Sequence, residues 1–420
     1  MIELLDSNVF GESSQGGGGS SKKYNVTVSA LLGDVNSNGV LQNPSAQEEL
    51  ILTGVVDVSD NALNSKFSGT SLTSVSAPDL EAMTGERGFE KAFKNSSVVS
   101  VSFPKLETVS GEYGMNEICK GCTSLTSVSF PKLDSIGNYG LYNSFYGCTH
   151  LESVSFPSLV TLSGSSALTY AFQYSGVKSV SFPELTTISD SNYGVFANCT
   201  SLESVSFPKL TTVGNMSMNR MFGDCTSLGS ISLPITSITQ NSISYICNNC
   251  TSLTSFSLPE LTLISGYNGA TNICNGCTSL TTFSLPELTT ISGSYALQAA
   301  ISGCTNITSV SLPKLTTISG ESAFYGFAEN CSSLSSITFP ELTEVSGEAV
   351  FNRILKGTTG KVVNFPKLTT MANKSMNYIG VDTTNLTIHF KSGTESTVQG
   401  LTGYPLFGGT SGNVTLVFDL

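Results

Sequence analysis

Twelve of the chain's prolines stand in one register: Pro78, Pro104, Pro131, Pro157, Pro183, Pro208, Pro234, Pro259, Pro286, Pro313, Pro340 and Pro366, with gaps of 25, 26 or 27 residues. A fixed period of that size marks a stacked array of similar units. It also accounts for a length of 420 residues, beyond the size at which one hydrophobic core keeps growing. Around each proline the same block returns, as in CTSLTSVSFPKLDSI at 122–136 and CTSLTTFSLPELTTI at 277–291.

The apolar positions of that block have a geometric meaning. Leu125, Val128, Phe130, Leu133 and Ile136 give the frame L-x-x-V-x-F-P-x-L-x-x-I. Val and Phe two apart share one face of a strand, and the three-residue steps on either side suit the corners of a coil. The proline ends the strand because it cannot donate to a ladder. One unit alone leaves its apolar face in water, and stacking buries it. Strands about 4.8 Å apart put twelve coils in a stack of roughly 55 Å. The expected fold is a repeat solenoid with a parallel β-sheet, about twelve coils of 25–27 residues, capped at both ends.

Composition narrows the function. Apolar residues make up 39% of the chain, enough to bury a core, so disorder is not the reading. The net charge of −12, with no basic cluster to offset it, argues against nucleic acid as a partner. No run approaches the roughly 18 apolar residues of a membrane span. The start, 1–23, lacks a basic region, an apolar run and a cleavage site, so it does not read as a signal peptide. Three routes then stay open: retention where the chain is made, release with virus particles on lysis, or a signal already removed.

The frame resembles a leucine-rich repeat, and its C-x-S-L-x-S-V-x-F-P wording is similar to the BspA-like branch of bacterial, protist and phage proteins, over about 67–379. The chain departs from better-known repeats in lacking the asparagine-ladder position and in its longer unit with proline after the strand. The resemblance implies a surface adhesion or recognition role and names no ligand.

Eleven cysteines include three C-x-x-C pairs, Cys119/Cys122, Cys247/Cys250 and Cys274/Cys277. Such spacing suits zinc or redox chemistry. Register points elsewhere. Cys122, Cys148, Cys199, Cys225, Cys250, Cys277, Cys304 and Cys331 stand nine residues before a proline. Cys119, Cys247 and Cys274 stand twelve before it, where other units carry Phe145, Ala171, Phe196, Phe222, Ile301 and Ala328. A position shared with Phe, Ala and Ile is interior, and free cysteine packs as a small hydrophobe. The expectation is a buried column of reduced thiols, with no metal and no cofactor.

Two features could carry binding. The outward strand positions are a double ladder of hydroxyls, including Ser127 and Ser129, Ser153 and Ser155, Ser179 and Ser181, and Ser204 and Ser206. They suit either a solvated sheet face or a hydroxyl-rich plane for carbohydrate. Variety lies between each Ile-Ser-Gly and the next cysteine. There stand Tyr113, Tyr139, Tyr142, Tyr146, Tyr170, Tyr174, Tyr193, Tyr245, Tyr267, Tyr295, Tyr325 and Tyr378, twelve of the fourteen tyrosines. Tyrosine buries apolar area at low entropic cost while keeping a hydroxyl, so these segments read either as recognition loops on a rigid scaffold or as cover for the coils.

The ends are read as follows. Residues 1–23 form a flexible peptide with a glycine linker at 16–19, 24–66 a β-rich cap or attachment segment, 67–379 the array, and 380–420 a C-terminal cap. Val26 and Val28 suggest a strand, and Asn38-Gly39 a hairpin turn. Asp34, Asn36 and Asn38 resemble the start of an EF-hand or dockerin calcium loop, but Ser45 stands at the twelfth position, where a carboxylate is needed; a polar turn is the other reading. Leu386, Ile388 and Phe390 suggest a strand, 395–401 a short helix, and 414–418 a final strand.

The two histidines, His150 and His389, meet no nucleophile and orienting acid in the sequence pattern. Glu184, Glu260, Glu287 and Glu341 share their site after the proline with Lys105, Lys132, Lys209, Lys314 and Lys367, which reads as a solvated column. A non-enzymatic binding protein is expected: a phage tail or head-decoration component that joins other virion proteins through its N-terminal segment and recognises a host glycan or protein. A bacterial or protist cell-surface adhesin is the alternative, and a spacer without ligand the third reading.

Overall fold

The computed structural model describes residues 23–26, 49–52, 54–58, 60–372, 374–381, 383–399 and 414–420. The chain divides into two compact units, Met1–Ser206 and Phe207–Leu420. Each is a parallel β-solenoid.

In the first unit the main sheet has eight strands, from Lys23–Val26 and Glu49–Leu52 through Ser74–Ser76, Ser100–Ser102, Ser127–Ser129, Ser153–Ser155 and Ser179–Ser181 to Ser204–Ser206. In the second unit another eight run from Ser230–Ser232 to Val414–Phe418. Every strand pairing among the described residues is parallel and in register, as with Val101 opposite Val128 and Ser102 opposite Ser129. Past the proline turn each coil forms a second, two-residue strand, such as Ser135–Ile136 or Thr290–Ile291. In the second unit these shorter strands build a six-stranded sheet of their own.

The pattern explains the stacking. Alternation in Ser-Val-Ser turns the middle side chain inward and the serines outward. The phenylalanine that follows then lies over its equivalent in the next coil. Phe103, Phe130, Phe156 and Phe182 form a spine with centroid spacings of 5.7, 5.9 and 5.0 Å and planes within 15° of parallel. Leu106, Leu133 and Leu159 continue the interior with no exposure.

The segments expected to be loops are not loops. Each is an arch of consecutive tight turns in which alternate amides have different partners. Asn116, Ile118 and Lys120 donate to the carbonyl three residues back. Met115, Glu117 and Cys119 donate to Gly140, Tyr142 and Ser144 of the next coil. Every fourth residue is left-handed, as at Tyr113, Glu117 and Gly121 (φ 58°, 53° and 73°) and again at Tyr139, Asn143 and Gly147. The arch therefore has a period of four without being a helix. That period matches neither strand nor α-helix, which is why the segment reads as irregular in sequence. Glu395–Gln399 is the one α-helix among the described residues.

Where the Ile-Ser-Gly glycine is present, it opens the arch at a point where neighbouring coils touch through backbone. A Cβ on Gly293 would stand 2.1 Å from the Gly266 oxygen, and one on Gly320 would stand 2.0 Å from that of Gly293. Threonines staple the coils elsewhere: the hydroxyls of Thr289, Thr316 and Thr343 donate to the carbonyls of Thr262, Thr289 and Thr316 at 3.1 to 3.3 Å.

All eleven cysteines are buried free thiols, as their register predicts. The structure adds why cysteine recurs nine residues before the proline. Cys122, Cys148, Cys199 and Cys331 donate to the carbonyls of Phe93, Cys119, Phe172 and Ile301 in the preceding coil, at 2.9 to 3.2 Å. Each of those carbonyls already accepts a backbone amide, from Ser96, Cys122, Ser175 and Cys304, and the thiol adds a second donor.

At the C-terminal end, Leu386–Phe390 and Val414–Phe418 are strands as expected, paired parallel with Phe390 opposite Phe418. The helix is described over Glu395–Gln399; positions 400 and 401 lie outside the described residues. So do Asp34, Asn36 and Asn38, the Asn38-Gly39 turn and the glycine joint.

Candidate functional site

On the arches of the first unit the tyrosines come together. Left-handed backbone at Tyr113, Tyr139 and Tyr170 sets their rings side by side across successive coils. Tyr113 stacks on Tyr139 at 4.6 Å with planes 9° apart. Tyr139 meets Tyr142 edge-on at 5.8 Å, Tyr142 meets Tyr170 at 6.0 Å, and Tyr170 meets Tyr193 at 5.4 Å. A second pair, Tyr146 and Tyr174, lies one turn further along the arch and meets edge-on at 5.4 Å. Edge-on contact leaves one ring face open, and these rings are half-buried, with Tyr174 48% exposed.

Cations bracket this surface. The Arg87 guanidinium lies 5.2 Å from the Tyr113 centroid, and Lys120 Nζ lies 5.0 Å from that of Tyr146. Partial burial raises the Tyr113 hydroxyl above its ordinary value, with Tyr139 and Glu112 adding to the shift and Arg87 opposing it. The phenol is therefore a neutral hydrogen-bond donor at physiological pH. Beneath the rings, Glu117 receives Lys94 Nζ at 2.7 Å and Lys120 Nζ at 2.9 Å, so Lys120 is held from both sides.

The second unit carries a smaller group. Tyr267 meets Tyr295 at 5.8 Å, Tyr295 meets Tyr325 at 6.4 Å, and Arg353 donates to the Tyr325 hydroxyl at 3.2 Å. Tyr245 and Tyr378 are 41% and 37% exposed. Arg87, Lys120 and Arg353 carry no signal in sequence, because they reach the rings only through the 26- to 28-residue offset between coils.

The serine ladder has the geometry its spacing predicts. Ser129, Ser155 and Ser206 are exposed and Ser181 half-buried; Ser155, Ser181 and Ser206 stand in consecutive register. The charged column after the proline pairs across coils, Lys105 with Asp79 at 2.9 Å and Lys314 with Glu287 at 2.6 Å, exposed contacts of little energetic weight. One histidine departs from expectation: His389 Nδ1 lies 2.8 Å from Asp419. Thirty residues separate them in sequence, and the parallel register of the last two strands brings them together. His150 lies against the Thr123 carbonyl.

The profile of the BspA-type leucine-rich repeat region, a six-copy unit, matches residues 61–169, 113–245, 168–300 and 244–380. The chain belongs to the BspA-type leucine-rich-repeat family. Proteins of this BspA type are typically non-enzymatic binding proteins and are often found at cell surfaces. No protein of curated description matches the sequence. Similar solved structures include a leucine-rich-repeat protein of Bacteroides ovatus (21% identity, TM-score 0.37, covering 81% of this chain and 88% of that one). A leucine-rich cell surface protein of Faecalibacterium prausnitzii matches at 18% identity and TM-score 0.29, covering 69% and 78%. The pneumococcal vaccine antigen PcpA matches at 15% and 0.35, covering 91% and 80%. No helix of the described residues is long and apolar enough to cross a membrane.

Proposed function

We propose that this BspA-type chain is a cell-surface binding protein whose tyrosine-bearing arches in the first unit recognise a surface glycan. The observation that carries the reading is the connected run Tyr113–Tyr139–Tyr142–Tyr170–Tyr193, half-exposed and held on rigid backbone. Open ring faces pack against the apolar faces of sugar rings, while phenol hydroxyls and Arg87 offer donors to sugar oxygens. The backbone lattice fixes the rings beforehand, which lowers the entropy cost of binding.

Family membership favours a cell surface. A phage particle gains no support from it, and neither does docking to virion proteins through the N-terminal segment. The experiment is a glycan array probed with the purified chain, followed by calorimetry on any hit. Tyr142→Ala with Tyr170→Ala should abolish binding while leaving the circular dichroism spectrum unchanged. Equal binding by that variant, or no glycan bound with a protein partner captured through the same rings, would overturn the reading.

A further inference from the structure

The cysteines of the second unit are not all equivalent. Positions twelve residues before the proline carry cysteine in two adjacent coils at one place alone, Cys247 and Cys274. Their sulfurs lie 3.5 Å apart. Cys277, one turn after Cys274, brings a third sulfur, and all three lie within 4.8 Å of one another. The side chains are wholly buried.

The geometry suits a metal. Three sulfurs around one ion at a bond length of about 2.3 Å stand about 4.0 Å apart, inside the spacing seen here. The set has no carboxylate or imidazole, and among the described residues no fourth ligand joins it. Magnesium and calcium want oxygen ligands. Structural zinc wants four ligands, and the sealed interior offers no water as the fourth. Thiolates alone, in a three-coordinate apolar setting, select a soft ion.

We propose that Cys247, Cys274 and Cys277 form a three-thiolate site for a soft d10 cation, copper(I) foremost. The Cys247 thiol donates to the Ile273 carbonyl at 2.8 Å and the Cys277 thiol to the Cys247 carbonyl at 3.1 Å, so loading exchanges these bonds for metal–sulfur bonds. Thiols ligate as thiolates, so loading expels protons. The first unit contains a natural control. Cys119 and Cys148 hold the places of Cys247 and Cys277, but Phe145 stands where Cys274 would be.

The test is to refold the full chain with copper(I) under reductant, remove loosely held metal with a chelator, and measure retained copper and its X-ray absorption. One equivalent per chain should remain, with about three sulfurs at about 2.3 Å. Cys247→Ala and Cys274→Ala should each lower retention at least tenfold. Both should fold, since Ala171 and Ala328 occupy the same column in other coils. Cys148→Ala should retain the full equivalent. Retention unchanged in Cys274→Ala, no retained copper in the unaltered chain, or a four-coordinate spectrum overturns the proposal.

Discussion

Gly293→Ala probes the contact on which coil stacking depends. The residue has an ordinary negative φ, so alanine suits its backbone and any cost is steric. The new Cβ would stand 2.1 Å from the Gly266 oxygen and 2.8 Å from its carbonyl carbon, both backbone atoms that no rotamer change can move. Ordinary contacts lie near 3.5 Å, so the two coils must part by more than about 1 Å. The bonds beside the contact, Ser292 and Gly293 amides to the Ile264 carbonyl at 2.9 and 3.2 Å, would then exceed hydrogen-bonding distance. Two lost backbone bonds cost about 2 kcal/mol. Overpacking adds about 1–3 kcal/mol, for a total of about 3–5 kcal/mol. Gly303→Ala is the matched control: its φ is +75° but its nearest neighbours stand 3.7 Å away, so only the left-handed backbone is penalised, at about 1–2 kcal/mol. Urea unfolding followed by circular dichroism gives both values, read as a shift in midpoint at constant slope. The close-contact reasoning is refuted if Gly303→Ala costs as much as Gly293→Ala.

Two further outcomes follow from the geometry. Phe156→Ala removes a ring stacked between Phe130 and Phe182 and should cost about 3–5 kcal/mol in the same urea assay, whereas Val160→Ala, 47% exposed, should stay within about 0.5 kcal/mol; equal costs would show that the spine is not tightly packed. Glu117 is raised by burial but lowered further by Lys94 and Lys120, so its net folded value falls below the ordinary 4.5. A depressed carboxylate contributes stability above its unfolded value, and that contribution is lost as pH falls through the folded one. Glu117→Gln should therefore lower the melting temperature at pH 7 and converge with the unaltered chain as pH falls through the folded value; a gap that persists at acid pH would contradict the ion-pair account.

Much of the fold was legible because a repeat states its geometry many times over. The proline register, the Val-x-Phe alternation and the recurring cysteines locate the strand, its buried face and the thiol column without any coordinates. The tyrosine segments were also picked out, but as loops. Their backbone alternates between amides that close a turn and amides that bond the next coil, so half of each arch's pattern lies about 26 residues away. The ring partners Arg87, Lys120 and Arg353, and the pairing of His389 with Asp419, were hidden for the same reason.

The sequence by itself determined that this chain stacks short coils, which side chains fill them, and that serines line one face. Those facts follow from local periodicity, and burying an apolar stripe leaves only one way to arrange it. Tertiary structure alone decided which of twelve similar coils bring tyrosines into contact, and where three thiols meet. Both depend on what occupies equivalent positions in neighbouring coils, and that adjacency exists only once strands 25 to 27 residues apart in sequence lie about 4.8 Å apart in space.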